Sequence, residues 1–423
     1  MSSPIAELEA WAAARGLPLR PPATCTRDFG GLVTRVPALV LAPRSTGELA
    51  ALVAELSARG LPFTVRGTAH TAGGQTLSEG VVIDTRGLAR IVADRPDELV
   101  VEAGALWLDV VRHLYPQGRR PTALTDNLRT TVGGTLALGG FGDTSHRHGL
   151  QIAGVSALTL VTPDEGTLSC GPSDELFRYS LAGRGQLGIL AEVTLRTLAR
   201  PPLLTGRVLR WPSLARFLDD AARIRDEAHH EYLRARLYFH ADGSHRVEAL
   251  AADFVAEPRR PDPVFQLRPE HASPVDTLDL AALAELDPSL AWPPHAPCLE
   301  LAFPLPDGVL VWAELHDQLR AAGLTAHLPD GASVLVVSGD PAFPLAPLAP
   351  GDNLVVALRP GFADPALAAE VAARLARLGE HAVQAGARLY PVAGGEPREE
   401  TVAHWRVLKD RVDRRRLCNP WLL

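Results

Sequence analysis

Seven glycines fall between positions 125 and 154: Gly133, Gly134, Gly139, Gly140, Gly142, Gly149 and Gly154. A run this dense makes a poor helix or strand interior, because each glycine brings extra backbone entropy that folding must remove. It suits a place where main chain passes close to another group with no Cβ between. A second such loop, Val65-Arg66-Gly67-Thr68-Ala69-His70-Thr71-Ala72-Gly73-Gly74-Gln75, follows a short apolar run at 62–65. Main-chain N–H groups in a loop of this kind can form a nest for an anion such as a pyrophosphate. On the loop alone, a surface turn with a hydrogen-bonded histidine is an equally good reading.

Around these loops the first half alternates short strands and helices. Strands are expected at 38–42, 62–65, 81–83 and 99–102. Ser45-Thr46-Gly47-Glu48 reads as a capping box opening a helix to about 59. A helix at 106–114 is stopped by Pro116 and Gly118, and a hairpin follows at 157–161 and 166–169. An amphipathic helix pattern occupies 1–20. This alternation implies an α/β arrangement. Beyond about 203 the pattern becomes α+β: helices at 214–228, 311–322 and 365–378, and strands at 233–239, 299–303, 333–337 and 353–358. A charged helix spans 402–417. With 423 residues, two to three domains of roughly 150 residues are expected.

Composition excludes several classes. Hydrophobic residues at 46% and charged residues at 22% describe a globular chain rather than a disordered one. A net charge of −7 argues against nucleic acid as a partner. No stretch approaches ~20 uninterrupted apolar residues, so no membrane span is expected. The start of the chain shows no apolar signal core, which points to the cytoplasm. Cys25, Cys170, Cys298 and Cys418 lie far apart without CxxC spacing, against zinc or a disulfide framework. His146 and His148 have no third ligand at useful spacing, so no metal is expected. The literal GxGxxG, Gly183 to Gly188, has a helical pattern before it and a strand pattern after it. That is the reverse of a dinucleotide fingerprint. Asp126, in Leu124-Thr125-Asp126-Asn127-Leu128, reads locally as an Asx-turn.

The ordered set of pieces carries more than any one of them. Asp28-Phe29-Gly30, the 66–75 loop, Gly80-Val81-Val82-Ile83-Asp84, Ala105-Leu106-Trp107, Thr125-Asp126, Thr131 to Leu136, Arg147-His148-Gly149 and Gly185-Gln186-Leu187-Gly188-Ile189 follow one another. This order resembles the flavin-binding oxidoreductases of the vanillyl-alcohol oxidase type, with a PCMH-type FAD-binding domain, and most of all the cytokinin dehydrogenases. The resemblance covers the first 200 residues and continues faintly through Ala291-Trp292-Pro293-Pro294, Pro297-Cys298-Leu299-Glu300-Leu301 and 404–420.

The resemblance implies an α+β, two-domain fold. An FAD-binding domain at 1–200 would be followed by an α+β substrate-binding domain at 201–389 inserted before the C-terminal helix. The segment 390–423 would return to the FAD domain. It implies FAD bonded covalently to His70, with Arg66, Gly67, Thr68, Ala69, Thr71 and Gln75 holding pyrophosphate and ring. Thr131, Gly133, Gly134, Ala137, Phe141, Leu190, Tyr390 and Asn419 would be further flavin contacts. Asp126 would be the active-site carboxylate, also touching flavin and substrate, and Glu285 the candidate for a second substrate carboxylate. A carboxylate within reach of an amine N–H takes its proton or orients it as hydride leaves the neighbouring carbon. The implied reaction oxidises a secondary amine such as an N6-isoprenoid adenine to an imine and then an aldehyde. The partners would be a small-molecule substrate and an electron acceptor, oxygen or quinone-like, with the protein a monomer or homodimer. A flavin-dependent alcohol, sugar or secondary-metabolite oxidase of the same family, or a non-redox protein using FAD as a scaffold, are the alternatives. The chain departs from the family at Ala69, where glycine is usual, at Thr71, where serine is usual, and at the tail Asn419-Pro420-Trp421, which lacks Gly-Gln after the proline.

Overall fold

The structure, a computed structural model, describes residues 3–125, 127–201, 203–226, 230–257, 269, 271–279, 293–391 and 399–420. Among these, the strands form three sheets. Strands β1 (Leu39–Leu41), β2 (Phe63–Arg66) and β3 (Val81–Asp84) pair in parallel in the order β1-β3-β2. The helix Thr46–Arg59 packs Leu49, Leu52, Val53 and Leu56 onto them, a spacing that keeps one helical face apolar. Ser45 Oγ accepts from Glu48 N–H, while Glu48 Oε2 accepts from Arg44 N–H, one residue before the cap. Gly60 closes the helix in a left-handed conformation at φ 65°.

The second sheet contains β4 (Ile91–Arg95), β5 (Glu98–Glu102), β6 (Arg119–Pro121), β7 (Val155–Thr162), β8 (Gly166–Cys170) and β9 (Ile189–Ala199). Its order is β4-β5-β9-β7-β8, with β6 pairing the far end of β9, all antiparallel. The third sheet has eight strands, again antiparallel: β10 (Leu203–Trp211), β11 (Tyr232–Phe239), β12 (His245–Val255), β13 (His271–Asp279), β14 (Leu299–Pro304), β15 (Ala332–Gly339), β16 (Gly351–Leu358) and β17 (Arg388–Leu389). They run β13-β10-β12-β11-β15-β16-β14-β17.

Both faces of this third sheet are covered, and the strand period of two separates the faces. Val334 and Val336 of β15 join the core beneath the helices Leu214–Asp226, Gly308–Ala321 and Pro365–Gln384. Leu335 and Val337 of the same strand join a different core, shared with Leu136, Leu150 and Trp405. The sheet is therefore a wall between its own helices and the first half of the chain.

Residues 417–419 run beside β2. Phe63 N–H donates to Leu417 O at 2.8 Å, and Asn419 N–H to Phe63 O at 2.9 Å. They are held there by Lys409, the chain's only lysine, which is 1% exposed. Its Nζ donates to Gln186 O at 2.5 Å and Cys418 O at 2.8 Å and pairs with Asp413 at 2.8 Å. Several boundaries differ from the sequence reading, among them the helix expected at 365–378, which runs Pro365–Gln384, and the helix expected at 311–322, which runs Gly308–Ala321. The first helix is Pro4–Ala14, because Gly16 adopts φ 63° and Leu19 bridges to β1. The closing helix ends at Val412, because Asp413 turns its carboxylate onto the Leu417 and Cys418 amides. No helix among the described residues is long and apolar enough to cross a membrane. All four cysteines are free and buried.

The junction between the first half and the third sheet is polar. Arg120, 1% exposed, donates to Glu231 at 2.7 Å and to Thr122 O at 2.8 Å. His146 Nε2 donates to His230 O at 2.8 Å, while its Nδ1 is buried without a partner among the described residues. Burial pushes the His146 and His148 pKa values down to about 4. Neither belongs to a metal-ligating cluster among the described residues. Because folding favours their neutral forms, the unfolded chain binds more protons between pH 6.5 and 4, and stability falls as pH drops through that window. His146 alone accounts for about 3 kcal/mol. Denaturant midpoints measured at pH 7 and pH 4.5 are expected to differ less in His146→Gln, which keeps an N–H donor, than in the wild type.

Candidate active site

The loop that leaves β2 is set by Asp28. Its carboxylate accepts from Thr71 Oγ1 at 2.9 Å, Gly74 N–H at 2.7 Å and Gly31 N–H at 3.3 Å. Burial raises the Asp28 pKa, and these donors oppose the rise. Phe29 N–H donates to Ala69 O and Gly30 N–H to Thr71 O, so the 28–30 segment lies along the loop. A Cβ at Gly30 would fall 2.4 Å from Ala72 O, which is why glycine stands there. These bonds hold Ala69 at φ 56°, a left-handed conformation uncommon for a residue with a Cβ. The Phe29 ring stacks on His70 at 5.0 Å, and Asn127 Nδ2 lies 3.3 Å from His70 Nδ1.

Three more segments close round this loop. Thr131 caps the short helix Val132–Leu136, its Oγ1 accepting from Gly134 N–H. A Cβ on Gly67 would lie 2.3 Å from that Oγ1, and one on Gly133 would lie 2.8 Å from Ala103 Cβ. Asn419 Oδ1 accepts from Val65 N–H at 2.9 Å, and its Nδ2 donates to Gly185 O at 3.0 Å, tying the 183–188 turns to β2. Tyr390 arrives from the third sheet. Its hydroxyl accepts from Gly140 N–H at 2.8 Å, and Phe141 meets its ring edge-on at 4.9 Å.

Together these segments and the third sheet enclose a cavity of about 880 Å³. Gly67, Thr68, Ala69, His70, Thr71, Gln75, Thr131, Gly133, Gly134, Ala137, Phe141, Leu190, Tyr390 and Asn419 line it. Arg66 does not. Its side chain turns away to donate to Arg27 O at 2.7 Å, and burial lowers its pKa. Asp126 and Glu285 lie outside the described residues; the neighbours Thr125 and Asn127 line the cavity. The opposite wall is built of residues given no site role from the sequence: Arg234 and Arg236 of β11, Cys298 just before β14, Glu300 of β14, and Arg359 after β16. Arg234 pairs with Asp143 at 2.6 Å, and Arg359 pairs with Glu300.

The cavity suits a dinucleotide-sized anionic cofactor. The main-chain N–H groups of Thr68, Ala69 and Thr71 donate to no protein acceptor among the described residues, although all three residues line it. Such donors are what a pyrophosphate requires. The glycines at 67 and 133 mark where loops meet too closely for a side chain.

Residues 37–171 match the family model described as "FAD binding domain", so fold and site define an FAD-binding protein. The chain is 34% identical over 238 residues to a Rhodococcoides fascians protein named "Uncharacterized oxidoreductase ORF5 in fasciation locus", covering 56% of this chain and 54% of the relative. It is 36% identical over 209 residues to cytokinin dehydrogenase 7 of Oryza sativa subsp. japonica, covering 47% of this chain and 40% of that protein. Cytokinin dehydrogenase 2 of Arabidopsis thaliana is 33% identical over 177 residues, 40% of this chain and 35% of its own length. The chain thus spans about half or less of the length of these curated relatives.

Proposed function

We propose that the protein is an FAD-dependent oxidoreductase acting on the C–N bond of a secondary amine such as an N6-isoprenoid adenine, with FAD attached through His70. The observation that carries this reading is the shared cavity. Residues assigned to the flavin by resemblance make one wall, and the third sheet makes the other. When bound, FAD supplies the hydride acceptor. The chain's residues do the remainder. The 67–71 loop binds the pyrophosphate, with Asp28 holding its shape. Asp126, placed by resemblance, takes the amine proton or orients the amine, and water hydrolyses the resulting imine. Glu285 keeps its role as a second carboxylate on the resemblance alone. The electron acceptor is oxygen or quinone-like, and the protein is a monomer or homodimer. The pairing of residues 417–419 with β2 supports a flavin domain built from 1–200 and 390–423 around a substrate domain at 201–389.

Intact mass of the denatured protein tests the attachment. The wild type is expected to carry an increment equal to FAD, and His70→Ala to lose it. Anaerobic bleaching of the flavin by isopentenyladenine, and not by a panel of polyols, is then expected. Bleaching by polyols alone would make the enzyme an alcohol oxidase. No bleaching by any donor would favour a non-redox FAD scaffold.

A further inference from the structure

Of the buried side-chain polar atoms without a partner among the described residues, one belongs to a residue lining the cavity: Oε2 of Glu300. Its position follows from the strand. Leu299, Leu301 and Phe303 point into the helix-side core, so Cys298, Glu300 and Ala302 face the other way, and the first two line the cavity. Glu300 is 1% exposed. Its Oε1 is fully engaged, accepting from Arg359 Nε at 2.7 Å, from Arg359 Nη2 and from the Cys298 thiol at 3.6 Å. The Arg359 guanidinium compensates the buried charge but leaves Oε2 with lone pairs and no donor. Glu300 is also fixed to the flavin wall. Its carbonyl accepts from Tyr390 N–H at 2.9 Å, and the Tyr390 side chain bonds Gly140 and meets Phe141.

A buried, charge-paired acceptor that has no donor, on a residue lining a ligand cavity, is costly unless a ligand completes it. We propose that Glu300 is a substrate-recognising residue whose Oε2 accepts a hydrogen bond from an N–H or O–H of the ligand and selects for such donors. The inference deepens the proposed function and rests on it only for where the substrate sits, not for the reaction performed. A carboxylate acceptor discriminates sharply against an analogue lacking the donor, because that analogue leaves the oxygen unpaired.

The test is calorimetric titration of the holoprotein with N6-benzyladenine and with N6-benzyl-9-methyladenine, which keeps the exocyclic N–H assigned to Asp126 but lacks the ring N–H. Wild type is expected to bind the first at least about tenfold more tightly. Glu300→Gln keeps an oxygen for Arg359 and puts an N–H₂ donor in place of Oε2, so this preference is expected to vanish. Equal affinities in the wild type overturn the proposal without recourse to any variant. So does binding of neither compound, or a preference undiminished in a Glu300→Gln protein with wild-type thermal unfolding. Anaerobic bleaching recorded on the same samples separates the two claims. A donor preference that depends on Glu300 without bleaching sinks amine oxidation and leaves the recognition role standing.

Discussion

Lys409→Met is expected to destabilise the protein by about 3–5 kcal/mol, a large share of the 5–15 kcal/mol typical of a whole fold. The ammonium satisfies two carbonyls and one carboxylate in a place where neither Lys409 nor Asp413 meets solvent. Methionine fills the volume but leaves Asp413 buried with its charge unmatched, and that unpaired charge is the main cost. The damage has a defined address. Gln186 O and Cys418 O lose their donor, and through them the 183–188 turns and residues 417–419 loosen from β2. Chemical denaturation should show the loss, with the flavin's absorbance and fluorescence changing before the second sheet unfolds. Lys409→Met with Asp413→Leu should recover much of it, since replacing both partners removes the orphaned charge. A single variant as stable as the wild type would show that the pair contributes only geometry.

Gly67→Ala is expected to weaken flavin binding by about 5- to 150-fold, the effect of ~1–3 kcal/mol of overpacking, and so to lower flavin content. The added Cβ would meet Thr131 Oγ1 at 2.3 Å and Thr131 Cγ2 at 3.2 Å. Thr131 cannot swing aside freely, because that same oxygen caps the Val132–Leu136 helix. The two loops facing the cofactor would therefore be pushed apart while the cores beneath them stay intact. Flavin absorbance per mole of purified protein measures the effect, with circular dichroism as the control for folding. Gly67→Ala combined with Thr131→Ala should regain cofactor at the expense of the cap. Full flavin content in the single variant would show that the loops tolerate spreading.

The parts of this site legible in the sequence are those where local chemistry decides the outcome. The 66–75 loop and the glycines at 133 and 134 lie together because close approach requires glycine wherever it occurs. The reversed order around Gly183–Gly188 also holds: the helix Glu175–Ser180 precedes it and β9 follows. The third sheet was read less completely. Strands β11, β14, β15 and β16 are expected from the sequence, but β10, β12, β13 and the two-residue β17 are not. β12 reads His-Arg-Val-Glu-Ala-Leu-Ala-Ala-Asp-Phe-Val, rich in alanine, and β10 carries Gly206 in its middle. Both suit a strand only between partners, where Gly206 abuts Ala251 and Ala252. Glu300 was visible as a residue but not as a site. Its partner Arg359 lies 59 positions away, and only the antiparallel register of β14 with β16 brings them together. The polar His146 and Arg120 junction was hidden for the same reason. Its acceptors, His230 O and Glu231, belong to the turn before β11.

The strand beneath the flavin loop is finished by residues made long after it. Val65 and Asn419 are 354 positions apart, and Phe63 exchanges two main-chain bonds with residues 417–419. During synthesis at ≈ 5–20 residues per second, β1, β2 and β3 can associate early, while one side of β2 waits for that partner. Completion of the cavity therefore waits until residues 417–419 have been made and have met β2.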